Sequence, residues 1–456
     1  MTRILLRGGR VIDPASDWDG AADLLLVDGR IAGRARPGGF AAFADAEPID
    51  CTGWWVVPGL IDPHVHLRDP GFPEKETILS GLAAAAAGGF TAVAAMANTA
   101  PVNDTPEITR YMLVQAGQAR AARLLPVSAV TRSLAGRELV DAAAMVDAGA
   151  QLFSDDGTPI DEEGVLQRAF RVLALLDRVI SLHEEDRRLT AQGAMNAGAV
   201  ADQLGLAGIP SSAESARVRR DLALARRTQT AVHIAHISTA EVLQLVRAAR
   251  RDGVMVTCEA TPHHFTLDDR AMLEFGADAK MSPPLRAARD RDAIRAGLVD
   301  GTIDMIATDH APHDPASKRA DRLAPLFHPG RSAARLSPTD AATLATAANG
   351  IVGLETALGL TLALVHQQLI SPARLVELMA VNPARLLRLP QAGSLASGAP
   401  ADVTVIDPDY QWTVDPAAFR SRSRNMPYPG MKLKGRATLT CVAGQIVYDA
   451  RAEERP

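Results

Sequence analysis

The sequence predicts an α/β protein: a (β/α)8 TIM-like barrel with a small β-sandwich domain built from both chain termini. Three observations predict it. Eight short apolar runs alternate with longer segments whose apolar residues fall at helical spacing across the middle of the chain. Both chain ends carry a different texture, β-rich runs joined by Gly and Asp turns. Finally, histidines and acids recur at the ends of the apolar runs, where a parallel barrel opens its active-site face.

The 456 residues, 47% of them hydrophobic, suffice for one barrel-sized domain and a smaller one. The N-terminal runs are ILLRGGRVID (4–13), ADLLLVDGRIAG (22–33) and IDCTGWWVVPG (49–59). A similar texture returns in ADVTVIDPDYQWTV (401–414) and ATLTCVAGQIVYDA (437–450). Termini often lie close together, so residues 1–56 and 391–456 are expected to form one composite β-domain.

Residues 57–390 are assigned to the barrel. Its strands are read from VVPGLIDPHVH (56–66), FTAVAAMANT (90–99), LLPVSAVT (124–131), AQLFSDD (150–156), RVISLHEE (178–185), TAVHIAHIS (230–238), GVMVTCEATPHH (253–264) and TIDMIATDHAPH (302–313). Between them, EKETILSGLAAAAAG (74–88), GVLQRAFRVLALLD (164–177) and AEVLQLVRAARRD (240–252) read as helices. The Ala-, Arg- and Pro-rich stretch at 317–347 reads as an inserted loop after the eighth strand: a lid, a subunit contact or a disordered segment.

Several function classes are excluded at this level. A net charge of -5 with dispersed Lys and Arg offers no basic field for nucleic acid. No window reaches the ~18–20 uninterrupted apolar residues of a membrane span. Cys51, Cys258 and Cys441 are far apart and odd in number, which argues for a reducing compartment and against a cysteine-ligated metal. With no long apolar N-terminal segment, a cytoplasmic protein is expected.

The run ends carry the chemistry. His64 and His66, two residues apart on a strand, point to one side and can reach one ion. Asp155 and Asp156 end the fourth run, His183 the fifth, His236 the sixth and Asp309 the eighth, with His310 and His313 just beyond. Nitrogen and oxygen donors without a thiolate suit Zn(II), with Mn(II) or Co(II) as alternatives, and such a set can hold two bridged ions.

The motifs IDPHVHLRDPG (61–71), FSDDG (153–157), HEED (183–186), HIAHIST (233–239), EATPHHF (259–265) and ATDHAPH (307–313) resemble the amidohydrolase superfamily, and most closely its class I dihydroorotases. NGIVGLETAL (349–358) and NPARLL (382–387) extend the resemblance over nearly the whole chain. The resemblance implies reversible cyclisation of N-carbamoyl-L-aspartate to L-dihydroorotate in de novo pyrimidine (UMP) biosynthesis, through a metal-activated hydroxide with Asp309 as general acid and base. It implies Zn(II), one or two ions per subunit, with His64, His66, Asp156 and Asp309 serving one and Asp156, His183 and His236 the other. Many relatives bridge two ions with a carboxylated lysine on strand four. Here no lysine lies between 76 and 279, and the bridge is assigned, by similarity to an aspartate-using subset, to Asp156, with Asp155 as the alternative.

For substrate, the resemblance points to Arg68, Asn98 and His313, and to Ser282 where the family commonly has Asn. It leaves open a homodimer and an association with aspartate carbamoyltransferase. Two other readings stay beside it. One is another cyclic amidohydrolase, of hydantoinase or allantoinase type. The other is an inactive dihydroorotase-like scaffold of the transferase. His233 is expected to lie in the core, His263 and His264 to pack in their loop or stand behind the ligands without binding metal, and Glu184 and Glu185 to stand behind the ligands or face solvent.

Overall fold

Eight parallel strands stand side by side in sequence order through the middle of the chain. In the computed structural model, which describes residues 2–190, 193–330 and 332–453, these are Leu60–Val65, Phe90–Ala95, Arg123–Ser128, Leu152–Phe153, Ile180–Leu182, Val232–Ile234, Val256–Ala260 and Met305–Ile306. Each coincides with one of the eight apolar runs, Arg123–Ser128 beginning one residue before its own. Leu60–Val65 and Phe90–Ala95 are buried at every position, as a strand covered on both faces must be.

Helices cover the outside. Thr77 starts Ile78–Ala87 by accepting a hydrogen bond from Ser80 N, and Gly88 ends it. Gly89 then takes φ +91°, a conformation that favours glycine, and turns the chain into Phe90–Ala95. In Ala240–Arg251 the buried residues are Val242, Leu243, Val246 and Ala249, the spacing of one helical face.

The ring closes between its first and last strands. Val65 pairs in parallel with His310, and His310 with Ile351. His66 N donates to His310 O at 2.8 Å. Asp62, fully buried, accepts from Thr308 N at 3.1 Å and from His64 N at 3.1 Å. The closing seam is therefore made by the segments that carry HxH and TDH.

Strands from the two chain ends share one further sheet. Its order is Gln445–Asp449, Lys432–Val442, Val403–Thr413, Trp55–Pro58, Arg3–Asp13, Trp18–Val27 and Arg30–Ala35, with Glu47–Asp50 also paired to Arg3–Asp13. One end strand of this path, Arg30–Ala35, bonds to the loop that precedes Val403–Thr413: Ile31 N donates to Ala399 O, and Gly398 N to Ile31 O. Leu6, Leu24, Ile31, Val403 and Leu439 meet in one apolar cluster, so the sheet folds over on itself in the manner of a sandwich. Trp55–Pro58 runs across the 56/57 boundary drawn from composition, because its partner is Val403–Thr413. Thr404 fixes this sheet to the barrel, its hydroxyl bonding to Gly89 O at 2.6 Å.

The stretch at 317–347, of which residue 331 lies outside the described residues, is not a plain loop. It contains Ala320–Leu323 and Pro338–Thr346. Ser337 Oγ accepts from Asp340 N at 3.2 Å and Pro338 occupies the first turn, which together start a helix that composition alone had hidden. Leu323, Phe327 and Leu344 pack with Leu204, Met272 and Leu273. Among the described residues no helix is long and apolar enough to cross a membrane.

Asp62→Ala would strand two buried donors at the seam, each costing about 1–3 kcal/mol. The urea midpoint should fall by an amount equivalent to about 2–4 kcal/mol. An unchanged midpoint would show that the seam does not rest on Asp62.

Candidate metal centre and active site

Because the seam joins the first strand to the last, the inward-turned ends of five strands face one another. His64 Nε2 lies 3.5 Å from Asp156 Oδ1 and 3.6 Å from Asp309 Oδ1. His66 Nε2 lies 3.0 Å from Asp309 Oδ1 and 3.5 Å from Asp156 Oδ2. On the far side, His183 Nδ1 is 3.4 Å and His236 Nε2 3.6 Å from Asp156 Oδ1. All six sequence-predicted ligands come together, and all are buried. Two sets have ligand atoms within 4.8 Å of one another: His64, His66 and Asp309, and His64, Asp156 and His236.

The residues fit a divalent metal ion. His64 Nε2 and Asp156 Oδ1 are buried without a hydrogen-bond partner, a costly state unless something binds there. The outer nitrogens of three rings are already engaged. His64 Nδ1 donates to Glu259 Oε1 (2.9 Å), His66 Nδ1 to Asn98 Oδ1 (2.9 Å) and His183 Nε2 to Glu185 Oε2 (3.2 Å). These bonds leave His64 Nε2, His66 Nε2 and His183 Nδ1 turned inward, where each can carry a proton or, once it is lost, offer its lone pair to a cation.

Charge in the cluster is strongly coupled. Burial opposes ionisation of His64, yet Asp309 and Asp156 push it up to about 10. Burial opposes His183 too, and Asp156 and Glu185 carry it to about 10. Burial alone would raise Asp156, but His64, His183 and His236 hold it well below the usual carboxylate range. Asp309 is likewise drawn down to about 2 against its burial, chiefly by His64 and His66. The same lone pairs take either a proton or a cation, so metal ions and protons compete for them.

The two neighbouring acids of FSDDG part ways. Asp155 turns to the adjacent loop and accepts from Val130 N (2.7 Å), Thr131 N (3.0 Å) and the Thr131 hydroxyl. Asp156 turns inward to all four histidines. Arg68, His236 and Asp309 hold φ of 59°, 31° and 46°. Such left-handed backbone is disfavoured for these residue types, at a cost of order 1–3 kcal/mol each, and it collects where side-chain aim matters.

Above the centre is a cleft of about 280 Å³, lined in part by His66, Arg68, Asn98, Ser282, His313 and Asn349. Arg68 Nε donates to Pro312 O at 3.2 Å, and its Nη2 lies 3.3 Å from His313 Nε2. His313 Nε2 donates to Asn349 O at 2.9 Å. Burial, with Arg68 beside it, pushes His313 down to about 2, so its ring is neutral. Asn98 faces the cleft, but its amide already serves two ligands: Oδ1 accepts from His66 and Nδ2 donates to Asp156 Oδ2 at 3.3 Å.

Glu259 went unassigned in the sequence. It is buried and joins His64 Nδ1 to His233 Nε2 (3.0 Å), so His233 is no mere core residue. Thr257 and Glu259, polar at alternate positions inside an apolar run, were the available signal. His264 packs behind the cleft, its Nε2 3.0 Å from Pro283 O. Glu184 is buried near Asp221, Arg217 and Arg220, away from the ligand atoms.

A family model described as Dihydro-orotase-like matches residues 53–242. Dihydroorotases of Syntrophus aciditrophicus and Syntrophotalea carbinolica are 46% and 47% identical over 446 residues, spanning 98% of this chain and 99% of each relative. Among solved structures, the L-hydantoinase (dihydropyrimidinase) from Arthrobacter aurescens superposes with a TM-score of 0.84 at 26% identity, covering 98% of this chain and 96% of that one. Dihydropyrimidinase from Brevibacillus agri shares the fold, with a TM-score of 0.80 at 21% identity over 98% and 95% of the two chains.

Glu259→Gln should weaken metal retention by about 10–100-fold in competition with a chelator, because His64 loses its charged anchor. Asp156→Asn should lose metal more severely, whereas Asp155→Asn should keep it. Equal retention in Asp156→Asn and wild type would contradict this geometry.

Proposed function

The chain belongs to the dihydroorotase family, and on that premise we propose that it interconverts N-carbamoyl-L-aspartate and L-dihydroorotate, the ring-closing step of pyrimidine synthesis. One observation carries the reading. Dihydroorotases match this chain at 46–47% identity over nearly its full length, and the six candidate ligands gather beside the half-buried Arg68 guanidinium.

We assign the metal as Zn(II), one or two ions per subunit. His64, His66, Asp156 and Asp309 would hold one, and Asp156, His183 and His236 the other. When bound, such an ion supplies Lewis-acid chemistry: it makes water more acidic and draws electrons from a carbonyl. The chain's own residues do the rest. Asp309 turns Oδ1 to His66 and His64, which leaves Oδ2 to take a proton from the attacking water. It returns that proton to the ring nitrogen as the amide C–N bond breaks.

Arg68 supplies a planar fork for the substrate carboxylate. The neutral His313 ring stands beside it, and Ser282 offers a hydroxyl in the same cleft. Asn98 acts mainly by holding His66 and Asp156 in place. A homodimer and an association with aspartate carbamoyltransferase rest on family resemblance alone.

A hydantoinase-type activity is kept as the second reading because of the likeness to the Arthrobacter aurescens enzyme. Asp156 at the strand-four position, with no lysine between 76 and 279, weighs against it. An inactive scaffold is disfavoured by the complete ligand set.

Zinc-loaded protein should consume dihydroorotate, lose that activity to a chelator, and process hydantoin far more slowly. Asp309→Asn should lower kcat by about 10²–10⁴-fold. Ring opening creates a new carboxylate and releases one proton. The equilibrium ratio of open to closed form should therefore rise about tenfold per pH unit near neutrality. Faster turnover of hydantoin than of dihydroorotate would overturn the reading.

A further inference from the structure

The 317–347 segment sends one side chain back beneath the cleft. Lys318 is 2% exposed, and its ammonium donates to the carbonyl oxygens of Ala277 (2.7 Å), Gly350 (2.7 Å) and Ala348 (3.0 Å). The carbonyl of Lys280 lies 3.5 Å away. An ammonium carries three protons, so main-chain oxygens engage all of them. Carbonyl dipoles turned towards one point repel one another unless a cation stands between them. Burial lowers the pKa of Lys318, with Asp278 opposing and Lys280 and Arg68 adding to the fall, while its three carbonyl acceptors favour the charged form.

These carbonyls belong to two short segments, 277–280 and 348–350, that run directly into the cleft wall. Met281 and Ser282 follow Lys280, and Asn349 stands between Ala348 and Gly350; all three line the cleft. The segments also bond to each other, Gly350 N to Lys280 O at 2.9 Å. Asn349 O accepts from His313 Nε2, which lies 3.3 Å from Arg68 Nη2. One buried cation thus reaches the opposed substrate-facing groups through the main chain, without touching the metal ligands.

We propose that Lys318 is a positioning residue for substrate binding: a tethered cation that gathers the carbonyls of 277–280 and 348–350 and so sets the wall of Met281, Ser282 and Asn349. The inference rests on the dihydroorotase reading for its substrate. It assigns the 317–347 segment a task, the delivery of this charge. It also makes the space left by a shortened side chain an all-carbonyl site, the donor set that suits a small monovalent cation.

The test uses the full-length, zinc-loaded protein and Lys318→Ala and Lys318→Met, with dihydroorotate as substrate. KM should rise at least about tenfold while kcat falls less than about threefold, the pattern of lost uniform binding. Zinc content should match wild type. Ammonium chloride should lower the KM of Lys318→Ala, and tetramethylammonium chloride at equal ionic strength should not. Unchanged KM in a zinc-loaded variant would overturn the proposal, as would loss of zinc and kcat at constant KM. If the uncharged variants do not fold, Lys318→Arg keeps the charge but displaces the donors, and should raise KM severalfold; wild-type KM there would overturn it. Failure of wild type itself to turn over dihydroorotate would sink the functional reading, whereas normal wild-type turnover with unchanged KM in the variants sinks this inference alone.

Discussion

The closing seam of the barrel is the constraint on which everything else hangs. His66 N to His310 O, with Asp62 bridging Thr308 and His64, brings the first strand's two histidines beside the last strand's aspartate. A shift of one residue there would turn His64 and His66 to the wrong face, because side chains alternate along a strand. Neither end of the seam makes a site alone. The eighth strand, Met305–Ile306, is only two residues long, and its position comes from the seam as much as from its ladder.

Gathering four imidazoles and two carboxylates in a buried space is expensive unless each polar atom is engaged. Glu259, Asn98 and Glu185 hold the outward nitrogens of three rings. The inward atoms left without partners, His64 Nε2 and Asp156 Oδ1, are where a cation would complete the balance. The left-handed backbone at Arg68, His236 and Asp309 belongs to the same design, since local strain is tolerated where the surroundings dictate the aim of a side chain. On the substrate side a different device works. The ammonium of Lys318 orders main-chain carbonyls, so the wall of the cleft is held by backbone.

The barrel strands and the gathering of the six candidate ligands were legible because both signals are short and periodic. An apolar run ending in His or Asp marks a strand and its functional end at once. Choosing between Asp155 and Asp156 needed family resemblance, for adjacent residues on a strand end differ only in the face they take. Glu259 carries no ligand motif of its own, and its one signal is alternation with Thr257 on the same strand face. Lys318 could not be found at all. Its partners are carbonyls at 277, 348 and 350, and sequence carries no record of where main-chain oxygens point. The 317–347 stretch misled through composition, since Ala, Arg and Pro describe a loop as readily as a helix begun by Ser337 and Pro338.

The claim at the centre is that Asp156 stands where many relatives have a modified lysine and binds the metal directly. A crystal structure of the zinc-loaded protein, with anomalous scattering recorded at the zinc edge, tests it most directly. One or two peaks are expected among His64, His66, His183, His236 and Asp309, with an Asp156 oxygen within about 2.0–2.2 Å of a peak. A zinc peak with Asp156 out of reach and Asp155 rotated in to take its place would contradict it, as would zinc bound elsewhere with the six side chains empty-handed.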